Sequence, residues 1–138
     1  MRLVLDTNVV VTALRSPTGA SAEILRRVRR RKITMIVSVG LFVEYEAVAT
    51  RAEHLMAAGA TVEEVRNVLN VLAGFVEATE IHYLWRPRLR DPDDDMVLEA
   101  AVNGRADSIV TFNGRDFGAV PGQFGVTVVK PNELLKRT

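Results

Sequence analysis

The stretch RLRDPDDDMVLEAA, residues 88–101, sets four carboxylates into five positions: Asp91, Asp93, Asp94 and Asp95. Like charges this close repel. Two unit charges about 4 Å apart interact by roughly 4 kcal/mol at an effective dielectric of about 20. A fold that brings such groups together must protonate some of them or bind cations. Three chemistries compete for the segment: a helix cap, a solvated acidic patch, and one wall of a metal site. Three further acids bear on the choice: Asp6 directly after RLVL, Glu44 in VEYEAV, and Asp116 in FNGRDF.

The elements that must carry these acids are legible as alternating apolar runs and helical periodicities. Residues 2–5 (RLVL) read as a short apolar strand, and NVVVTAL continues it or turns helical before the break at SPTGAS. A helix is expected from Ser21 to about Lys32, with Ile24, Leu25 and Val28 as its apolar face. TMIVS (34–38) is a second buried strand, and a single helix is expected from Val39 to about Met56. Ala58-Gly59-Ala60 interrupts, and Thr61 opens a capping box with Glu64 for a helix running through about Val76. TEIHYLW (79–85) is the third strand candidate. A helix from about Asp93 to Asn103 is closed by Gly104, followed by strands at 107–112 and 126–129 and a last short helix from Pro131. Strands that alternate with helices and are continuously apolar imply a parallel sheet covered on both faces, a three-layer α/β/α domain of about five strands spanning residues 1–138.

In such sheets ligands bind at the carboxyl ends of the strands. Asp6 follows strand one, and Glu44 lies in the first two turns of the helix after strand two. Asp91 to Asp95 open the helix after strand three, and Asp116 lies in the loop after strand four. Four consecutive β-to-α junctions therefore bring a carboxylate to one edge. Each acid also has a plainer reading. Asp6 fits a helix N-cap, Glu44 a surface glutamate and Asp116 an Asx turn. Asp91 before Pro92 is a natural helix start, and Asp93 and Asp94 suit the positive end of a helix dipole. Asp95 lies deeper in the helix and shares a face with Leu98 and Val102, so it leans toward the protein body and is the expected site residue of the cluster. Oxygen ligands without His or Cys favour hard ions, Mg²⁺ or Mn²⁺. Such ions activate water and steady an in-line phosphoryl transition state, which points to phosphodiester hydrolysis.

Bulk properties agree with a single globular domain. The chain has 138 residues, 48% hydrophobic and 25% charged. No apolar run reaches the roughly 18 residues of a membrane span, and Asp6 and Asn8 interrupt the N-terminal apolar stretch, against a signal peptide. There is no cysteine, which excludes disulfides and thiolate metal sites and suits the cytoplasm. The net charge of +1 hides segregation between basic RRVRRRK (26–32) and acidic DPDDD.

Four blocks, LVLDTNVVVTAL, VSVGLFVEYEAV, RDPDDDMVLEAAVNGRADSIVT and TFNGRDF, resemble in this order a PIN-domain ribonuclease. They are most similar to the compact prokaryotic PIN proteins assigned as toxin components of toxin–antitoxin systems. The resemblance runs from Arg2 to about Leu135. It implies a Mg²⁺- or Mn²⁺-dependent endoribonuclease site with one or two ions. By matching positions it makes Asp6, Glu44, Asp95 and Asp116 the site acids, with Asp6, Asp95 and Asp116 as metal anchors and Glu44 positioning the attacking water. It gives supporting places to Thr7, Asn8, Ser38, Asp91, Asp94 and Thr111. Many relatives carry a further Asp where this chain has Asn113, which therefore reads as a neutral support. The resemblance also implies an RNA substrate, a homodimer or higher homo-oligomer, and a small antitoxin partner. A PIN fold kept as an RNA-binding or assembly module is the non-enzymatic alternative, against which the full set of acids argues.

Other signals carry less. Arg26, Arg27, Arg30 and Arg31 are RNA-backbone candidates, but they also suit a solvated helix face beside Ile24, Leu25 and Val28. His54 and His82 lack ligand spacing. Tyr83 and Trp85 fit base stacking or packing at an edge strand. The stripe along residues 61–76 suits core or a subunit interface. Aspartyl-phosphate phosphatases need an acid where this chain has Asn8, and receiver domains need paired acids at the end of strand one and a suitably placed Lys.

Overall fold

The computed structural model describes residues 1–82, 89 and 91–138. Five strands, β1 (Arg2–Leu5), β2 (Thr34–Val37), β3 (Glu77–Ala78), β4 (Ser108–Val110) and β5 (Thr127–Val129), form one parallel sheet in the order β3-β2-β1-β4-β5. The strands are apolar because helices cover them: Leu3, Val4, Leu5, Met35, Ile36, Ile109 and Val110 are fully buried. The chain moves outward from β1 to β3, then returns to the other side of β1 as β4. The strand order therefore reverses between β1 and β4, which makes that crevice the topological switch point of the sheet.

The helices are α1 (Thr7–Arg15), α2 (Ala20–Arg29), α3 (Val39–Ala49), α4 (Ala52–Ala58), α5 (Val62–Ala73), α6 (Pro92–Asn103), the single turn α7 (Val120–Gln123) and α8 (Pro131–Arg137). NVVVTAL is helical: α1 starts directly from Asp6 and buries Val9, Val10 and Val11. α6 packs against β1, β2 and β4, and its Gly104 is required by close approach. A Cβ there would lie 2.5 Å from Ile36 Cγ2, while the backbone stays at an ordinary φ of −84°. The capping box forms as expected, with Thr61 Oγ1 accepting from Glu64 N–H and Glu64 accepting from Thr61 N–H. The stripe it opens divides: Val65, Leu69 and Leu72 are core, whereas Val68 and Val71 stay exposed.

Several boundaries differ from the sequence reading. The helix expected over 39–56 is two helices. Thr50 turns its hydroxyl back onto the Glu46 carbonyl at 2.8 Å, and Arg51 adopts an extended conformation. α4 then ends at Gly59 in the left-handed region, φ 64°. α2 ends at Arg29, because Arg31 takes φ 57° and reverses the chain so that Ile33 enters the core. α5 ends at Ala73, short of the expected Val76. The third strand lies at Glu77–Ala78, before the expected TEIHYLW. There it pairs with Ile36 and Val37, and Glu77 is clamped by the guanidinium of Arg2. Of the expected strand, residues 79–82 are not extended into the sheet, and residues 83–85 lie outside the described residues, as does the stacking role weighed for Tyr83 and Trp85. Among the described residues no helix is long and apolar enough to cross a membrane.

Candidate active site

Asp6 is the hub of the carboxyl edge. Its backbone N–H continues the β1–β4 ladder to the Val110 carbonyl at 2.9 Å, so the residue is fixed at the switch point. Its side chain is fixed as well. Oδ1 accepts from Thr7 N–H at 2.8 Å and Oδ2 from the Thr111 hydroxyl at 2.6 Å. Thr111 is itself buried and held by the Asn113 N–H, so the TFN turn after β4 orients the first acid. Burial pushes the Asp6 carboxyl above the usual carboxylate range, and the charges of Asp116 and Asp91 add to this. The two hydrogen bonds oppose it.

Around Asp6 lies an open cleft of about 300 Å³. Glu44, Asp94 and Asp116 line it together with Asp6, and Asp91 and Asp93 stand at its rim. Glu44 is delivered by α3, which is docked through its neighbour: the fully buried Tyr45 donates its hydroxyl to the Leu5 carbonyl at 2.5 Å, one residue before Asp6. Burial keeps that phenol protonated far above its ordinary range, so it serves as a donor. Asp116 projects from the 3₁₀ turn Gly114–Phe117, anchored by the fully buried Phe117.

The acidic cluster resolves into separate roles. Asp91 caps α6, accepting from Asp93 N–H at 2.9 Å, with Pro92 in the first turn. Asp93 is exposed. Asp95 is the more deeply buried of the two adjacent acids Asp94 and Asp95. It is 3% exposed, as its face with Leu98 predicts, but that face is the core side of α6. Its carboxylate accepts the Leu89 N–H at 3.1 Å and does not line the cleft. One residue, about 100° of helix rotation, brings Asp94 into the cleft instead. Burial raises the Asp94 carboxyl to about 7, assisted by the charges of Asp6, Asp91, Asp116 and Asp93.

The remaining expected residues are distributed as follows. Thr7, Asn8 and Asn113 line the cleft. Ser38 does not: it caps α3 by accepting from Leu41 N–H and borders a neighbouring cavity with Gly40 and Met96. Arg27 and Arg30 border a different cavity with Met1, Ile33 and Thr138, at the amino-terminal edge of the sheet, opposite the acids. Arg26, Arg27 and Arg30 also share the carboxylate of Glu23, and Arg31 stacks over Phe75. Sequence reading passed over Thr12, Arg15 and Arg51 and set His54 aside for want of ligand spacing, and all four line the acidic cleft. Asn8, Val11, Thr12 and Arg15 are spaced i, i+3, i+4, i+7. This face of α1 would have been legible once α1 was known to be helical.

The donor set fits a hard divalent cation. Its carboxylates raise one another's proton affinity, and both Asn8 Oδ1 and the His54 Nδ1 at the cleft wall are buried without a hydrogen-bond partner among the described residues. Among the described residues no three His, Cys, Asp or Glu side chains are close enough together to grip an ion as they stand.

An acidic cleft at the switch point of a five-stranded parallel sheet with helices on both faces defines the class of α/β domain. A family model described as PIN domain matches residues 2–115, and the chain belongs to the PIN-domain family, whose members are generally nucleases. No curated protein matches the chain significantly in sequence. Among solved structures, a chain of VapBC2 from Rickettsia felis, crystallised bound to a DNA fragment from their promoter, shares the fold. The TM-score is 0.61 and the identity 15%, covering 93% of this chain and 97% of that one.

Proposed function

We propose that this PIN domain is a Mg²⁺- or Mn²⁺-dependent endoribonuclease that cleaves RNA phosphodiester bonds and acts as the toxin of a toxin–antitoxin pair. The observation that carries the reading is the convergence of Asp6, Glu44, Asp94 and Asp116, each from a different β–α junction, on one cleft. Asp6, Asp94 and Asp116 would hold one or two ions, with Asp94 taking the role that the resemblance gave to Asp95. A bound ion supplies a polarised phosphoryl oxygen and a more acidic water. Thr7 and Thr111 keep Asp6 aimed into the cleft, Glu44 orients the attacking water and takes its proton, and the cleft aligns the scissile phosphate for in-line attack. The likeness in fold to VapBC2 supports an antitoxin partner, and a homo-oligomeric toxin is part of the same proposal.

Cleavage of single-stranded RNA, titrated with Mg²⁺ and Mn²⁺, tests the reading. Wild-type chain should cut, and Asp6→Asn should not while keeping its circular dichroism spectrum. Full cleavage by that variant would sink the assignment. The spread of the carboxylates favours a second reading, an RNA-binding or assembly module without activity. RNA binding with no cleavage at any metal concentration would establish that instead.

A further inference from the structure

The acidic cleft is longer than the chemistry requires, and its ends are basic. A second cavity, about 520 Å³, adjoins the first and shares Asp91, Asp94 and Asp116 with it. The two are therefore continuous across the carboxylates. Arg15 and Arg51 line the first, and Arg115 lines the second. None of the three is ion-paired among the described residues, although Arg2, Arg26, Arg27, Arg30 and Arg66 all are. Distance explains this for Arg15. Asp6 caps the start of α1 and Arg15 ends it, so nine rises of about 1.5 Å put roughly 13 Å of helix axis between their backbones. Arg15 therefore enters the cleft from the far end of α1, on the side where a neighbouring phosphate would lie.

Local stability does not account for Arg51. It stands at the N-cap of α4, where the helix dipole disfavours a cation, and it makes no capping bond. A residue that local rules disfavour, on the wall of a functional cleft, is expected to serve the ligand. Guanidinium forks suit phosphate oxygens.

We infer that Arg15 and Arg51 on one side of the carboxylates, and Arg115 on the other, grip the backbone phosphates flanking the scissile one, so that a single RNA strand lies across the acidic centre. The inference rests on the nuclease reading for the identity of the strand. It makes these arginines substrate-positioning residues and leaves Arg27 and Arg30, at the opposite edge, without a part in binding.

Fluorescence anisotropy of a labelled single-stranded RNA dodecamer tests it. The full chain carrying Asp6→Asn, with Mg²⁺ present, is compared with the same chain bearing Arg15→Gln, Arg51→Gln or Arg115→Gln across a salt series. Each substitution should weaken binding about three- to tenfold and lower the slope of log Kd against log salt by about 0.7. Arginine-to-lysine versions should keep the slope. Arg27→Gln and Arg30→Gln should change neither quantity, and unchanged thermal melting guards against a folding defect. Unaltered affinity and slope in all three cleft variants overturns the grip, as does an equal loss from Arg27→Gln. Cleavage by the wild-type chain with arginine-independent binding overturns the grip alone. Arginine-dependent binding without wild-type cleavage sinks the nuclease reading and supports the grip.

Discussion

At the scale of single residues, Asp94 and Asp95 are the sharpest contrast in the molecule. Both are buried acids on the same turn of α6, yet one faces four other carboxylates and the other accepts a backbone N–H. Asp94→Asn should therefore lower RNA cleavage by about 10²–10³-fold, the scale on which a single charge-stabilising group acts. Asp95→Asn, which among the described residues alters the bond to Leu89 N–H, should cost less, about tenfold. Initial-rate assays on the two purified variants check this, and a reversed order would restore Asp95 to the site. The same repulsion has a signature in stability. Without metal, Asp94→Asn should melt higher than wild type, by on the order of 1 kcal/mol or roughly 3–6 °C, because a charge that Asp6 and Asp116 oppose is gone. Adding Mn²⁺ should raise the wild-type midpoint and leave that of Asp94→Asn nearly unmoved. Scanning calorimetry with and without chelator reads both.

At the scale of elements, the site depends on how α3 and α6 are seated on the sheet. Tyr45→Phe removes the hydroxyl that satisfies the Leu5 carbonyl and should cost about 1–3 kcal/mol by leaving a buried acceptor unpaired. Because Glu44 is the next residue, cleavage should fall more than melting alone explains, which parallel urea unfolding and rate measurements separate. Gly104→Ala pushes a methyl into Ile36 and should cost about 1–3 kcal/mol without changing the chemistry of the cleft. These contacts also mark how far sequence reaches. β1, β2 and the capping box of α5 were legible because apolar runs and a Thr-x-x-Glu signal are local. The convergence of Asp6, Glu44 and Asp116 was legible because parallel sheets present their carboxyl edges in a fixed way. The break at Thr50–Arg51 was hidden, since it uses a side-chain bond to Glu46 and no Gly or Pro. Which of Asp94 and Asp95 lines the cleft was hidden too. Facing the core and facing the site were taken for the same direction, whereas α6 has the hydrophobic core on one side and the cleft about one residue around. The pairing of β3 at Glu77–Ala78 depends on Arg2 from the far end of the chain, which no local window contains.

At the scale of the whole molecule, charge is sorted between the two edges of the sheet: acids, with arginines that make no ion pair among the described residues, at the carboxyl edge, and Glu23-bridged arginines at the amino edge. A net charge near +1 masks this division and says little about a polyanionic partner. On the proposed reading, cations held by the carboxylates would leave the arginines beside them no longer offset by bare acids. Toxicity in a cell should follow from the same arrangement. Induced expression of the wild-type chain should halt bacterial growth, and Asp6→Asn should not, at equal protein levels by immunoblot. If an antitoxin is encoded beside the chain, inducing both together should restore growth by covering the cleft, and that partner should protect the cleft arginines from guanidine-directed labelling. Normal growth under full expression of a chain that cleaves RNA in the test tube would separate the two parts of the proposal. It would keep the nuclease and remove the toxin, pointing to a housekeeping role for the same acidic cleft.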